Sequence, residues 1–207
     1  MARTRSAQYD DHRRGILANA APVFSSLGYD RASIGDLATA CGISRGALYH
    51  YFASKDAILF AMLDNHVRDL AAALEAAVAP LAAPEARLRQ AIATSLALYA
   101  HSRDEQIVLL NHLGVLAAEE QARIRGLEAG IVTFYARLLE ALDHGGRIDG
   151  RTRKVYAMML LGMINYTYTW YDPHGPVGPA ELAGRVADLI LAGISSDAAV
   201  TPAPERC

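Results

Sequence analysis

Apolar residues recur at three- and four-residue spacing along nearly the whole chain, and no stretch alternates strictly, so the pattern predicts helices and no strands. Ile16, Leu17, Ala20, Phe24 and Leu27 mark a first helix over 10–27. Ile34, Leu37 and Ala38 mark a short second one, and Leu48 and Phe52 a short third. From Ser54 the stripe Ile58, Leu59, Met62, Leu63, Val67, Leu70, Leu74 and Val78 carries one long helix to residue 78. Pro80 and Pro84 interrupt the period, after which helices are predicted over 84–101, 104–117 and 118–143. Gly145-Gly146 marks a turn, and helices over 149–171 and 179–195 complete an all-α chain of about nine helices.

The short second and third helices carry the strongest signals. Ser33 with Asp36 has capping-box spacing, which satisfies free N–H groups at a helix start. Cys41-Gly42 closes that helix, because glycine accepts the left-handed exit. Ser44 is a second N-cap, and Lys55 opens the next helix after Ser54. Two capped helices joined by a tight glycine turn, with a third following at once, make a helix-turn-helix. Arg45 can meet guanine O6 and N7 with two donors. Gly46 and Ala47 permit close approach to bases, and Tyr49 and His50 can bond phosphate oxygens. At Lys55 a positive charge and a helix N-terminus together favour a phosphate.

Residues 10 to about 60 resemble the tetracycline-repressor (TetR) family of bacterial transcriptional regulators. The resemblance rests on Ile16-Leu17, Ala20-Ala21, Phe24, Gly28-Tyr29, Ser33-Ile34 and Leu37-Ala38, then on the run Gly42 to Phe52 and on Ser54-Lys55. It implies an all-helical homodimer, with an N-terminal three-helix DNA-binding domain and a C-terminal domain for ligand binding and dimerisation. By resemblance Ser33, Ser44, Arg45, Gly46, Tyr49, His50 and Lys55 take the DNA-contacting role. The base-contacting positions vary among members, so the operator sequence does not follow.

Composition fits this division. The 207 residues are 52% hydrophobic, enough for a sizeable core, with a net charge of only −2. Residues 1–60 carry seven basic and five acidic side chains, so a slightly basic head precedes an acidic body. The expected organisation is a flexible basic arm over 1–9, a helix-turn-helix domain over 10–55, a ligand and dimer domain over 56–195, and a disordered tail over 196–207. Two cysteines, Cys41 and Cys207, make no disulfide framework. No apolar run reaches the length of a membrane span, and no secretory signal is visible, so a cytoplasmic protein without a membrane partner is expected.

The C-terminal helices offer two apolar stripes, one through Val155 and Met158 and one through Leu182, Val186, Leu189 and Ile190. Paired across two subunits they would form a four-helix bundle, with Trp170 and Tyr171 in the interface. The segment LLGMINYTYTWYDPHGP resembles an acyl-CoA-responsive branch of the same family. That resemblance implies an apolar tunnel, for which Leu109, Leu113, Leu116, Phe134, Leu138, Met159 and Met163 are candidates, with Asn165 beside them. Arg123 and Arg125 are the candidate phosphate-binding cations. His101 and His112 lack a third ligand, so no metal site is expected, and nothing calls for a cofactor.

The resemblance therefore implies a ligand-responsive regulator, a repressor by family habit, expected to grip a palindromic operator as a homodimer and to release it on binding a small hydrophobic effector such as an acyl-CoA. Two other readings stay open. The same fold could answer a drug-like lipophile and control an efflux gene, or a helical enzyme could act on an acyl-CoA. Against the enzyme stands the lack of a phosphate loop or nucleophile elbow. A narrow chamber opening to a basic surface would separate the acyl-CoA reading from the drug reading, which calls for a broad closed aromatic cavity.

Overall fold

The computed structural model describes residues 2–195, and side chains over 8–194. Nine α-helices, and no strand, occur among the described residues: α1 (Ala2–Leu27), α2 (Ile34–Ala40), α3 (Arg45–Tyr51), α4 (Lys55–Val78), α5 (Pro84–His101), α6 (Arg103–His112), α7 (Ala118–Glu140), α8 (Arg153–Asn165) and α9 (Pro179–Ser195).

Helix boundaries follow local chemistry. At α2 the Ser33 hydroxyl accepts from the Asp36 N–H at 3.2 Å, and the Asp36 carboxylate accepts from the Ser33 N–H at 2.9 Å. Ser44 and Ser54 cap α3 and α4 in the same way, accepting from the N–H groups of Ala47 and Ala57 at 3.1 Å each. Gly42 takes φ 65° between α2 and α3, which lets the chain reverse within three residues.

The head is α1 to α3 closed by the start of α4. Phe24, Leu37, Leu48, Ile58 and Leu59 are wholly buried in it. In the body α5 packs on α9 and α7 on α8, while α4 runs through to meet α5 and α7. The stripe from Ile58 to Val78 faces the core along the full length of α4, as the period requires. α1 also rests on α6, and the Ser25 hydroxyl donates to the Asp104 carboxylate there.

Five boundaries differ from the sequence pattern. The backbone of residues 2–9 is the first part of α1, where a flexible arm was expected; the expected tail over 196–207 lies outside the described residues. α6 stops at His112 and passes through a 3-10 turn over Leu113–Val115. α7 ends at Glu140, and α8 begins at Arg153 instead of 149, because the Asp149 carboxylate accepts from the N–H groups of Arg151 and Thr152 and fixes a turn. α8 gives way at Asn165 to a 3-10 turn over Tyr166–Thr169, where Thr167 and Thr169 bond back to the carbonyls of Ile164 and Tyr166.

Candidate functional site

α3 presents a recognition face. Leu48 is its one buried residue and Phe52 follows it into the core, so Arg45, Gly46, Tyr49 and His50 project into solvent with Ala47 partly covered. The serine hydroxyls beside this face are occupied: those of Ser33 and Ser44 serve as caps. Arg45 lies back across α2, where a Cβ on Gly35 would stand 2.6 Å from its guanidinium nitrogen. Only a glycine at 35 leaves the arginine that path. The Asp36 carboxyl is held below its ordinary value by hydrogen bonds from Ser33 and, less strongly, by the Arg45 charge.

α1 braces this helix with contacts the sequence pattern did not reveal. Tyr9 stacks on Tyr51 with ring centroids 5.0 Å apart, and His12 Nδ1 lies 3.1 Å from the Tyr51 hydroxyl. The Arg13 guanidinium sits 4.8 Å from the centre of the Phe52 ring. Lys55 opens α4, where a phosphate contact was expected. Its ammonium turns inward and donates to the carbonyls of Tyr29 and Ala32, so the side chain ties the α1–α2 connection to α4 instead of standing free for a phosphate.

The body holds a chamber of about 180 Å³. Val67 and Leu70 of α4, Leu109 of α6, Ile131 and Val132 of α7 and Leu161 of α8 give it apolar walls. Tyr99, Gln106 and Asn165 stand on one side of it, and Glu128 and Met158 on another. Glu128, Val132 and Met158 also belong to an open cleft of about 550 Å³ between α7 and α8, where Arg125, Arg137, Arg153 and Lys154 outnumber Glu128 and Glu140, the latter 3.6 Å from Arg153. An apolar chamber thus abuts a cationic cleft through a shared wall. Burial raises the Glu128 carboxyl pKa, and nearby Arg125 only partly counters this.

Two hydrogen bonds stand at the chamber. His66 Nε2 lies 2.9 Å from Gln106 Oε1, and the Tyr99 hydroxyl donates to Asn165 Oδ1 at 3.0 Å. Burial lowers the His66 pKa from its ordinary 6.5, with Gln106 and Asp69 opposing, so the ring is neutral and its Nε2–H is the donor.

Of the tunnel candidates, Leu109 and Asn165 line the chamber and Arg125 lines the cleft. The others fall elsewhere. Leu116 and Leu138 are buried in the general core, and Leu113 and Phe134 pack against it. Arg123 is paired with the buried Asp64, to which it donates at 2.8 and 3.3 Å, and so is turned from the cleft. Met159 and Met163 face an open groove between α8 and α9. Met158, expected in the dimer stripe, lines the chamber instead, because it stands one position before Met159 and so about 100° around the helix.

The α8–α9 groove has a volume of about 550 Å³ and is lined by Met159, Tyr166, Trp170 and Leu189, each more than half exposed. Val155 is also exposed at 56%. Leu182 and Val186 are largely buried within the subunit, Ile190 partly so, and the Tyr171 hydroxyl donates to the Val177 carbonyl. The dimer stripe expected from sequence is therefore divided, with Leu189, Trp170 and Val155 outward and Leu182 and Val186 inward. No described helix is long and apolar enough to cross a membrane. No group of three or more metal-ligating side chains occurs among the described residues.

Comparison with known proteins agrees with this geometry. Residues 16–62 match the profile described as bacterial regulatory proteins, tetR family, and residues 81–194 match a tetracyclin repressor-like C-terminal domain. An HTH-type transcriptional repressor of Mycobacterium tuberculosis is 42% identical over 67 residues, which span 30% of this chain and 36% of that protein. A crystal structure of a TetR-family transcriptional regulator from Bordetella parapertussis superposes with a TM-score of 0.81 at 35% identity, covering 86% of this chain and 93% of that one. AibR, crystallised with isovaleryl coenzyme A and operator DNA, superposes with a TM-score of 0.74 at 26% identity, over 88% of this chain and 97% of that one.

Proposed function

Because this chain belongs to the tetR family of bacterial regulatory proteins, we propose that it is a homodimeric repressor that an acyl-CoA thioester releases from its operator. The observation that carries the ligand class is the apolar chamber abutting the cationic cleft. A thioester would place its acyl chain among Val67, Leu70, Leu109 and Leu161, and its phosphates near Arg125, Arg137, Arg153 and Lys154. AibR, of similar fold, was crystallised with isovaleryl coenzyme A and operator DNA, which supports a coenzyme A thioester as the ligand class and DNA as the partner.

On DNA, the face of α3 enters the major groove. Arg45 swings off Gly35 to read a guanine, Gly46 and Ala47 admit the base edges, and Tyr49 and His50 hold phosphates. The capping serines, Ser33 and Ser44, fix the starts of α2 and α3 and so orient both helices beside the phosphate strand. Two copies joined through the α8–α9 face set two heads about 34 Å apart, the repeat of one turn of the duplex. Release follows from linkage: a ligand that prefers the DNA-incompetent spacing weakens operator binding by its differential affinity and no more.

The test is fluorescence anisotropy of a labelled operator, titrated with saturated acyl-CoA thioesters of graded length, with free coenzyme A and with drug-like lipophiles. Release by thioesters alone is expected. Release by lipophiles alone would favour the efflux reading, and turnover of a thioester without any DNA binding at low salt would favour an enzyme. Arg45→Ala should cost about 1–3 kcal/mol at one base position and relax specificity there.

A further inference from the structure

The chamber wall is not uniformly apolar, and its polar groups are not equivalent. Gln106 gives its oxygen to His66 Nε2. Beside it the Tyr99 hydroxyl donates to Asn165 Oδ1 at 3.0 Å, which leaves the Asn165 side-chain nitrogen. Its two N–H groups have no partner among the described residues, and they stand on the wall of the chamber. A saturated acyl chain packed here would strip water from those donors and return nothing, a loss of about tenfold or more in affinity.

Position along α8 says which part of a ligand meets them. The cleft shares Met158 with the chamber, and Asn165 lies seven residues further on, about 10 Å along the helix axis. A thioester carbonyl held near the cleft therefore stays short of Asn165, and a group well down the acyl chain reaches it. The chamber, at about 180 Å³, is small and takes a short acyl chain.

We infer that the effector is a short acyl-CoA whose acyl chain carries, well away from the thioester, an oxo or hydroxyl oxygen that accepts a hydrogen bond from the Asn165 amide. This rests on the acyl-CoA reading and narrows it to an oxygenated intermediate of carbon-chain breakdown as a chemical class. Asn165 is then a specificity-determining residue, held in orientation by Tyr99.

The experiment is calorimetric titration of the full-length protein, alongside operator release, with hexanoyl-CoA and with derivatives bearing an oxo or hydroxyl group at each chain carbon in turn. At least one oxygenated thioester should bind about tenfold more tightly than hexanoyl-CoA. Asn165→Asp keeps the acceptor that Tyr99 needs and removes both free donors. It should abolish the preference: the added carboxylate weakens every thioester alike by repelling its phosphates, so the quantity read is the ratio of oxygenated to hexanoyl-CoA affinity, which should fall to about one. Asn165→Leu should invert the preference, and thermal unfolding of each variant checks that it is folded. If all the thioesters bind alike, or if the preference survives in Asn165→Asp, the inference is overturned and the acyl-CoA reading stands. If no thioester binds at all, both fall together.

Discussion

The Lys55 ammonium lies 4.1 Å from the centre of the Tyr29 ring and donates to the Tyr29 carbonyl at 2.8 Å and the Ala32 carbonyl at 2.9 Å. It closes the head around its own charge. Lys55→Met removes two charge-assisted hydrogen bonds and a cation–π contact, and should cost about 2–3 kcal/mol of stability. Operator affinity should fall with it, since α2 is less firmly placed. The slope of log affinity against log salt should not change, whereas loss of a phosphate contact would lower that slope by about one. A lowered slope with unchanged unfolding would restore the phosphate role.

Asp64 joins α4 to α7. The residue is 8% exposed and receives Arg123 from α7 and Arg68 from its own helix. Burial pushes its carboxyl pKa up, but the two arginines outweigh that, and the net value lies below the ordinary 3.8. The folded pKa is thus below the unfolded one. The stabilisation is complete above pH 3.8 and is lost as pH falls through the folded value. Asp64→Asn should cost about 1.5–3 kcal/mol at neutral pH, with the difference from wild type narrowing in acid denaturation below pH 4. Arg123→Ala should weaken stability and leave thioester affinity unchanged, and a reduced affinity with unchanged stability would return Arg123 to the ligand site.

Glu128 stands between the chamber and the cationic cleft with its carboxyl pKa raised by burial. A carboxylate there opposes a polyanionic effector. Glu128→Gln should tighten thioester binding about five- to tenfold, the scale of a like-charge repulsion across roughly 10 Å of partly screened medium. The advantage of the variant should shrink as pH falls towards the raised pKa, because the wild-type side chain is then neutral too. Calorimetry at two pH values decides it, and equal affinities at both would remove Glu128 from the site.

Leu189 is 67% exposed on α9, beside Trp170 in the α8–α9 groove. If this face joins two copies, Leu189→Glu buries an unpaired charge there and should give monomers in sedimentation velocity, with unchanged helix content by circular dichroism. Operator affinity should drop in parallel because one head reads one half-site. A variant that stays dimeric would move the interface elsewhere.

The head was legible because its signals are local. Ser33 with Asp36, Ser44 and Gly42 each act within four residues, and the long stripe of α4 repeats often enough to define one face. What escaped depends on neighbours distant in sequence. Arg123 and Arg125 look alike as basic residues near a helix start, and only the position of Asp64, 59 residues away, turns one inward. Met158 and Met159 are likewise equivalent by composition, yet face different cavities. The Tyr99–Asn165 bond spans 66 residues and had no signal in spacing. The Asp149 turn and the threonine back-bonds after Asn165 were within reach of local reasoning, since each acts within three residues.

The two family matches end at residue 62 and resume at 81, so the stretch between them falls almost wholly within α4, a single rod about 36 Å long. Ahead of that gap, Ile58 and Leu59 complete the head; inside it, Val67 and Leu70 already line the chamber. A crossover at this point of the gene would therefore transplant one protein's choice of DNA onto another's choice of small molecule. The requirement on the graft is helical phase: the inserted segment must keep α4 unbroken and in register, or the two halves would arrive rotated against each other.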